Sequence, residues 1–144
     1  MSRIEKSIEI EAPLERVFNY IKDLERQPEW MPNIKSHIIT SDRKEGVGIT
    51  THCITEEGGR RIEWDSEVTE WEENRKIAWE CKPPLKNKGS FTLEPTDKGT
   101  KVIFEMEYEL PYSVLGKIID MVKVKKEIEE NISKGLENLK SILE

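Results

Sequence analysis

Apolar side chains recur at two different spacings along this chain, and the points where the spacing changes mark out its elements. Over residues 4–11, Ile4, Ile8 and Ile10 fall on one face, interrupted by Lys6, with Glu5, Glu9 and Glu11 on the other. That period of two predicts a half-buried strand. Ala12-Pro13 ends it; Pro13 suits a first helical turn, where its missing N–H is not needed, and Leu14, Val17, Phe18 and Ile21 form a helical stripe. A second short helix is predicted over residues 23–27, closed by Pro28 or by Trp30-Met31-Pro32.

From there the period stays at two. Strands are predicted over 34–42, 48–56, 60–71, 75–82, 88–94 and 100–110, separated by turn residues such as Lys44-Glu45-Gly46, Glu57-Gly58-Gly59, Pro83-Pro84 and Asp97-Lys98-Gly99. In the last strand Val102, Phe104, Met106, Tyr108 and Leu110 alternate with acids and a lysine, Ile103 excepted. In the fourth, Ile62, Trp64, Ser66 and Val68 share a face; Trp71 has the wrong parity for it, which predicts a bulge nearby. Strand 48–56 is ambiguous, since either His52 or Cys53 can face inward.

After Pro111 the period returns to 3.6. Val114, Ile118, Met121, Ile128, Ile132, Leu139 and Ile142, flanked by Leu115, Ile119, Val122, Leu136 and Leu143, make a stripe about thirty residues long, so one helix of about 40 Å is predicted. Lys125 and Gly135 interrupt it. The order β-α-α-β6-α, with short hairpin connections, implies an α+β fold in which an antiparallel sheet of seven strands curls around the long C-terminal helix. Residues 1–144 read as one domain, with no internal repeat or linker.

Composition narrows the functional classes. Lys+Arg 23 against Asp+Glu 29 gives a net charge of −6, which argues against a nucleic-acid binder. No apolar run has the roughly 20 residues of a membrane span, and the first residues lack a signal-peptide core, so a soluble cytoplasmic protein is expected. Cys53 and Cys81 form no CxxC and stand at no metal-ligand spacing to His37 or His52; buried free thiols and no metal or other cofactor are expected.

Four segments carry a resemblance: residues 8–18 (IEIEAPLERVF), 28–32 (PEWMP), 98–102 (KGTKV) and 135–140 (GLENLK). In their order and spacing the chain resembles the START-like superfamily (SRPBCC, also Bet v 1-like), in its polyketide cyclase/dehydrase and coenzyme-Q-binding-like branch. The resemblance implies the helix-grip fold over the whole chain. The plant allergen branch carries a glycine-rich loop between its second and third strands; here only Glu45-Gly46-Val47-Gly48 stands there, which speaks against an allergen-type ligand.

A bent sheet around one helix encloses space, and an empty void of about 300 Å³ would cost about 7 kcal/mol, comparable to the stability of a whole domain. Large side chains can plug such a space, or a ligand can fill it. The inward candidates are Trp64, Trp79, Phe91, Leu93, Phe104, Met106 and Tyr108 from strands, with Leu115, Ile118, Ile119 and Val122 from the helix. The resemblance favours a pocket over a plug: these residues would line a cavity for a small hydrophobic molecule such as a lipid, quinone or polyketide-like ring. Trp30 is expected in a structural role at the short-helix corner.

Two other functions compete. A cyclase or dehydratase needs a titratable group inside the pocket; Tyr108 is the best-placed hydroxyl and Glu70 the only carboxylate on the inward parity of its strand, while His52 is read as structural and no catalytic set is assigned. There is no Ser-His-Asp order, HExxH or phosphate loop. The third function is partner binding, in which the basic turn of Lys123, Lys125 and Lys126 meets an acidic protein or anionic lipid headgroups.

Overall fold

The computed structural model describes residues 2–57, 59–109 and 121–144, the side chain of Met121 excepted. Strand β1 (Ser2–Ile10) leads into helix α1 (Leu14–Ile21) and a 3-10 turn (Leu24–Glu29). Six strands follow: β2 (Ile34–Ile39), β3 (Thr50–Glu57), β4 (Arg60–Glu72), β5 (Lys76–Cys81), β6 (Lys86–Pro95) and β7 (Thr100–Glu109). Helix α2 (Met121–Leu143) comes last. The strands form one open, curved antiparallel sheet in the order β1-β7-β6-β5-β4-β3-β2, with α2 against its inner face. This is the helix-grip arrangement.

Alternation decides which side chains reach the inside. Along β7, Val102, Phe104 and Tyr108 are buried; the acids of its outer face pair with lysine and arginine on adjacent strands, as in Arg3–Glu105 (3.5 Å) and Lys88–Glu107 (3.7 Å). Two irregularities reset the parity. Between Ile34 and Ser36 the β2–β3 register shifts, and between Val68 and Glu70 the β4–β5 register shifts, the bulge that Trp71 predicted. Beyond the second bulge Trp71 turns inward onto Phe18 of α1, edge to face, with ring centroids 5.8 Å apart. Glu70 therefore points outward, where it pairs with Lys76 at 3.0 Å; the inward carboxylate expected at that position is not there.

The N-terminal corner is held by close approach. A Cβ on Gly99 would lie 2.3 Å from the carbonyl oxygen of Ile10, so only glycine fits beneath this corner, and the neighbouring Thr100 hydroxyl donates to the Ala12 carbonyl at 2.9 Å. Pro13 stands at the N-cap of α1, one residue before the first turn expected for it. On α2 the buried stripe is Val124, Ile128, Ile132, Leu136, Leu139 and Leu143. Ile142, placed on the stripe by its spacing, is 42% exposed instead. Gly135 lets α2 come down on Met31, and Asn138 Nδ2 donates to the Trp30 carbonyl at 3.0 Å. Trp30 itself is buried against Phe91, with centroids 5.6 Å apart, in the structural place expected of it.

Candidate functional site

Between the inner sheet face and α2 lies a cavity of about 130 Å³. Its apolar wall is built from strands β4 to β7, whose inward residues come into register: Ile77 faces Phe91, and Phe91 faces Phe104. The rings of Trp79, Phe91 and Phe104 pack at 5.2 to 5.8 Å between centroids. Met106 and Trp64 extend this wall, Tyr108 closes it toward the end of β7, and Ile128 and Ile132 of α2 face it. Trp64 Nε1 donates to the Thr55 hydroxyl at 3.3 Å, so the half-buried indole has its polar edge satisfied.

Of the eleven residues expected to line a pocket, Trp64, Trp79, Phe91, Phe104, Met106 and Tyr108 stand on the cavity wall. Leu93 does not: one inward position further along β6 than Phe91, it is buried in the core where β6 approaches α1. Val122 does not either, being 79% exposed, because the helical phase that buries Val124 and Ile128 turns it to solvent. Leu115, Ile118 and Ile119 lie outside the described residues. The β3 ambiguity resolves toward Thr51, Cys53 and Thr55 inward. His52 faces out, between Asp65 (2.8 Å) and Glu63 (3.3 Å), which raise its pKa chiefly through these hydrogen bonds.

Spacing alone did not single out the polar part of the wall. His37, brought inward by the β2 bulge, has Nε2 3.0 Å from the Thr51 hydroxyl, which in turn lies 2.7 Å from Ser66 Oγ. Burial lowers the His37 pKa to about 4, so the ring is neutral at physiological pH. Glu57, the last residue of β3, takes a hydrogen bond from Asn33 Nδ2 onto Oε1 at 2.5 Å. Burial pushes its carboxyl up to about 7, opposed by the Asn33 hydrogen bond and assisted by the charge of Glu127 on α2.

Among the described residues, five buried side-chain polar atoms have no hydrogen-bond partner: Asn33 Oδ1, His37 Nδ1, Glu57 Oε2, Asn87 Oδ1 and the Tyr108 hydroxyl. All five residues line this one cavity. Two of the five have a polar neighbour close enough to affect their titration, the Leu24 main chain for His37 and the Ser2 side chain for Tyr108. Buried polar atoms are nearly always satisfied in folded proteins, so their concentration at one place distinguishes the cavity from a packing defect. Among the described residues, no group of three or more His, Cys, Asp and Glu could hold a metal ion.

The family described as polyketide cyclase/dehydrase and lipid transport matches residues 1–144, the whole of the sequence. The chain belongs to this family. An uncharacterized 17.2 kDa protein of the melC2-rnhH intergenic region of Streptomyces lincolnensis is 29% identical over 122 residues, covering 83% of this chain and 77% of that one. Among solved structures, TTHA0849 from Thermus thermophilus superposes with a TM-score of 0.81 at 23% identity, over 97% of this chain and 95% of its own. A START superfamily protein from Mycobacterium smegmatis gives 0.75 at 23% identity over 99% of both chains. The Zhui aromatase/cyclase from a Streptomyces strain gives 0.77 at 15% identity, over 99% of this chain and 93% of its own. At these identities the structural likeness is one of fold. No described helix is long and apolar enough to cross a membrane.

Proposed function

We propose that the protein binds a small, largely apolar molecule in the cavity between its sheet and α2. The observation that carries this reading is the wall of Trp64, Trp79, Phe91, Phe104, Met106 and Tyr108 around about 130 Å³. An apolar cavity of about 150 Å³ in an engineered protein admits benzene, so a single-ring guest is the scale to expect here. Left empty, a space of this size would cost about 3 kcal/mol, a sizeable part of a domain's stability. The family's description, which joins cyclisation with lipid transport, supports a hydrophobic guest.

Native mass spectrometry of the purified protein, with organic extraction, should reveal a co-purifying apolar molecule, and ethylbenzene should bind saturably in isothermal titration calorimetry. Failure of every apolar probe to bind would sink the reading.

Glu57 favours a second reading, proton-transfer chemistry on the bound molecule. A buried carboxyl at about 7 is poised to give or take a proton at neutral pH. Under this reading Glu57→Ala abolishes turnover of a cyclising substrate while leaving its binding within a few-fold; turnover that survives the substitution would exclude it.

A further inference from the structure

We infer that the cavity selects an aromatic molecule bearing a neutral hydroxyl, a phenol or enol, whose O–H donates into the end formed by Glu57, Asn33, Asn87 and Tyr108, and that it rejects carboxylates. This rests on the proposal that the cavity takes a guest at all, and adds what that guest must present.

The direction of each polar group is fixed by what it already does. Asn33 spends its Nδ2 on Glu57 Oε1, which leaves Oδ1 as its free atom. Asn87 directs Nδ2 at the Met106 sulfur, 3.5 Å away, and likewise leaves Oδ1. Glu57 contributes Oε2. Three of the four unpartnered atoms at this end are therefore carbonyl or carboxyl oxygens, and the fourth, the Tyr108 hydroxyl, can give or accept. A guest that matches them brings donors.

Charge makes the same selection. The charge of Glu127 on α2 acts on Glu57, and the charges of Glu129 on α2 and of Glu57 both act on Tyr108. Arg60 is the register partner of Glu57 on β4. Among the described residues, the one lysine on the cavity wall is Lys86, whose Nζ lies 3.4 Å from Glu109 Oε2, so its charge is already matched. A guest carboxylate would face acceptor oxygens and acidic side chains. An ammonium would meet favourable charge but lose far more hydration than a hydroxyl on entering among aromatic rings. A pure hydrocarbon would leave the four atoms unpartnered, and sites built to hydrogen-bond a hydroxyl discriminate strongly against analogues lacking one. The rings of Trp79, Phe91 and Phe104, tilted 36° to 55° to one another, offer edges and faces against which an aromatic body can pack.

The test uses four matched probes on the full chain at pH 8: 4-ethylphenol, ethylbenzene, 4-ethylbenzoate and 4-ethylbenzylamine, each titrated directly by isothermal titration calorimetry. The phenol should bind at least tenfold tighter than each of the others. In Glu57→Gln, which removes the charge while keeping the shape, the phenol-to-benzoate ratio should collapse to under threefold with ethylbenzene unchanged. Tyr108→Phe, which keeps the ring, serves as a second variant should Glu57→Gln not fold, and should weaken the phenol alone by at least threefold. If ethylbenzene binds as tightly as the phenol, or if benzoate or benzylamine binds best, the cavity reading survives and this inference falls. If no probe binds, both fall.

Discussion

Gly89 and Trp79 face each other across β5 and β6, and the indole occupies the space that a side chain at Gly89 would need. A Cβ there would lie 2.6 Å from Trp79 Cζ2 and 2.6 Å from the Glu105 carbonyl oxygen. Because the second obstacle is backbone, the strain cannot be relieved by a rotamer change. Trp79 can lie close against the sheet only because its neighbour has no side chain, and the room this leaves belongs to the cavity.

Gly89→Ala should therefore destabilise the fold by about 2 kcal/mol, in the range of overpacked cores, despite alanine's lower conformational entropy in the unfolded chain. Urea denaturation checks the stability, and calorimetric titration with ethylbenzene should show weaker binding as the indole is driven inward. Wild-type stability in the variant would mean that the strands separate freely at this point.

Glu57 gives a pH dependence with a defined sign. Its folded-state pKa of about 7 lies above the ordinary value of 4.5, so the folded chain binds this proton more tightly than the unfolded chain does. Between these two values the folded state loses stability on this account as pH rises, by on the order of 3 kcal/mol in total. Glu57→Gln removes that loss. The variant should gain its stability relative to wild type at pH 8 and show little of the gain at pH 4, measured by urea midpoints across the range. An advantage independent of pH would mean that the carboxyl titrates normally.

Leu93 and Val122 form a contrasting pair. Leu93 is 3% exposed in the core, whereas Val122 is 79% exposed on α2. Leu93→Ala should cost about 2–5 kcal/mol through the cavity it opens, and Val122→Asp should stay within about 0.5 kcal/mol of wild type. Thermal and urea unfolding of the two variants would separate them clearly; equal losses would contradict the helical phase of α2.

The fold was legible because alternation holds over most strands and the return to a period of 3.6 is abrupt. The segments that suggested the family meet in space: Gly99 and Thr100 sit under Ile10 and Ala12, and Gly135 and Asn138 sit on Met31 and Trp30. Each motif is one half of a close contact. The aromatic wall was legible for the same reason, since Trp64, Phe104 and Tyr108 fall on unbroken runs of inward parity. The polar end was not. His37 comes inward only after a bulge that its own segment does not announce, and Glu70 is turned outward by another. Glu57 continues the inward parity of Thr51, Cys53 and Thr55, and would have been found only by deciding the parity of β3, which the sequence left open between His52 and Cys53. As the last residue before a turn, it looked like part of the loop.

The pairing of β1 with β7 has a consequence for how the chain is made. Ile10 pairs with Thr100 and Ser2 with Tyr108, and among the described residues β1 has no other neighbour in the sheet. On a ribosome, the earliest strand waits for about a hundred residues before its mate emerges, and contacts so distant in sequence slow a fold's formation. Throughout that wait Ile4, Ile8 and Ile10 have no sheet to join. The closure of β1 onto β7 therefore comes after the strands between them have been made, and until then β1 is an unpaired strand of the kind that favours aggregation.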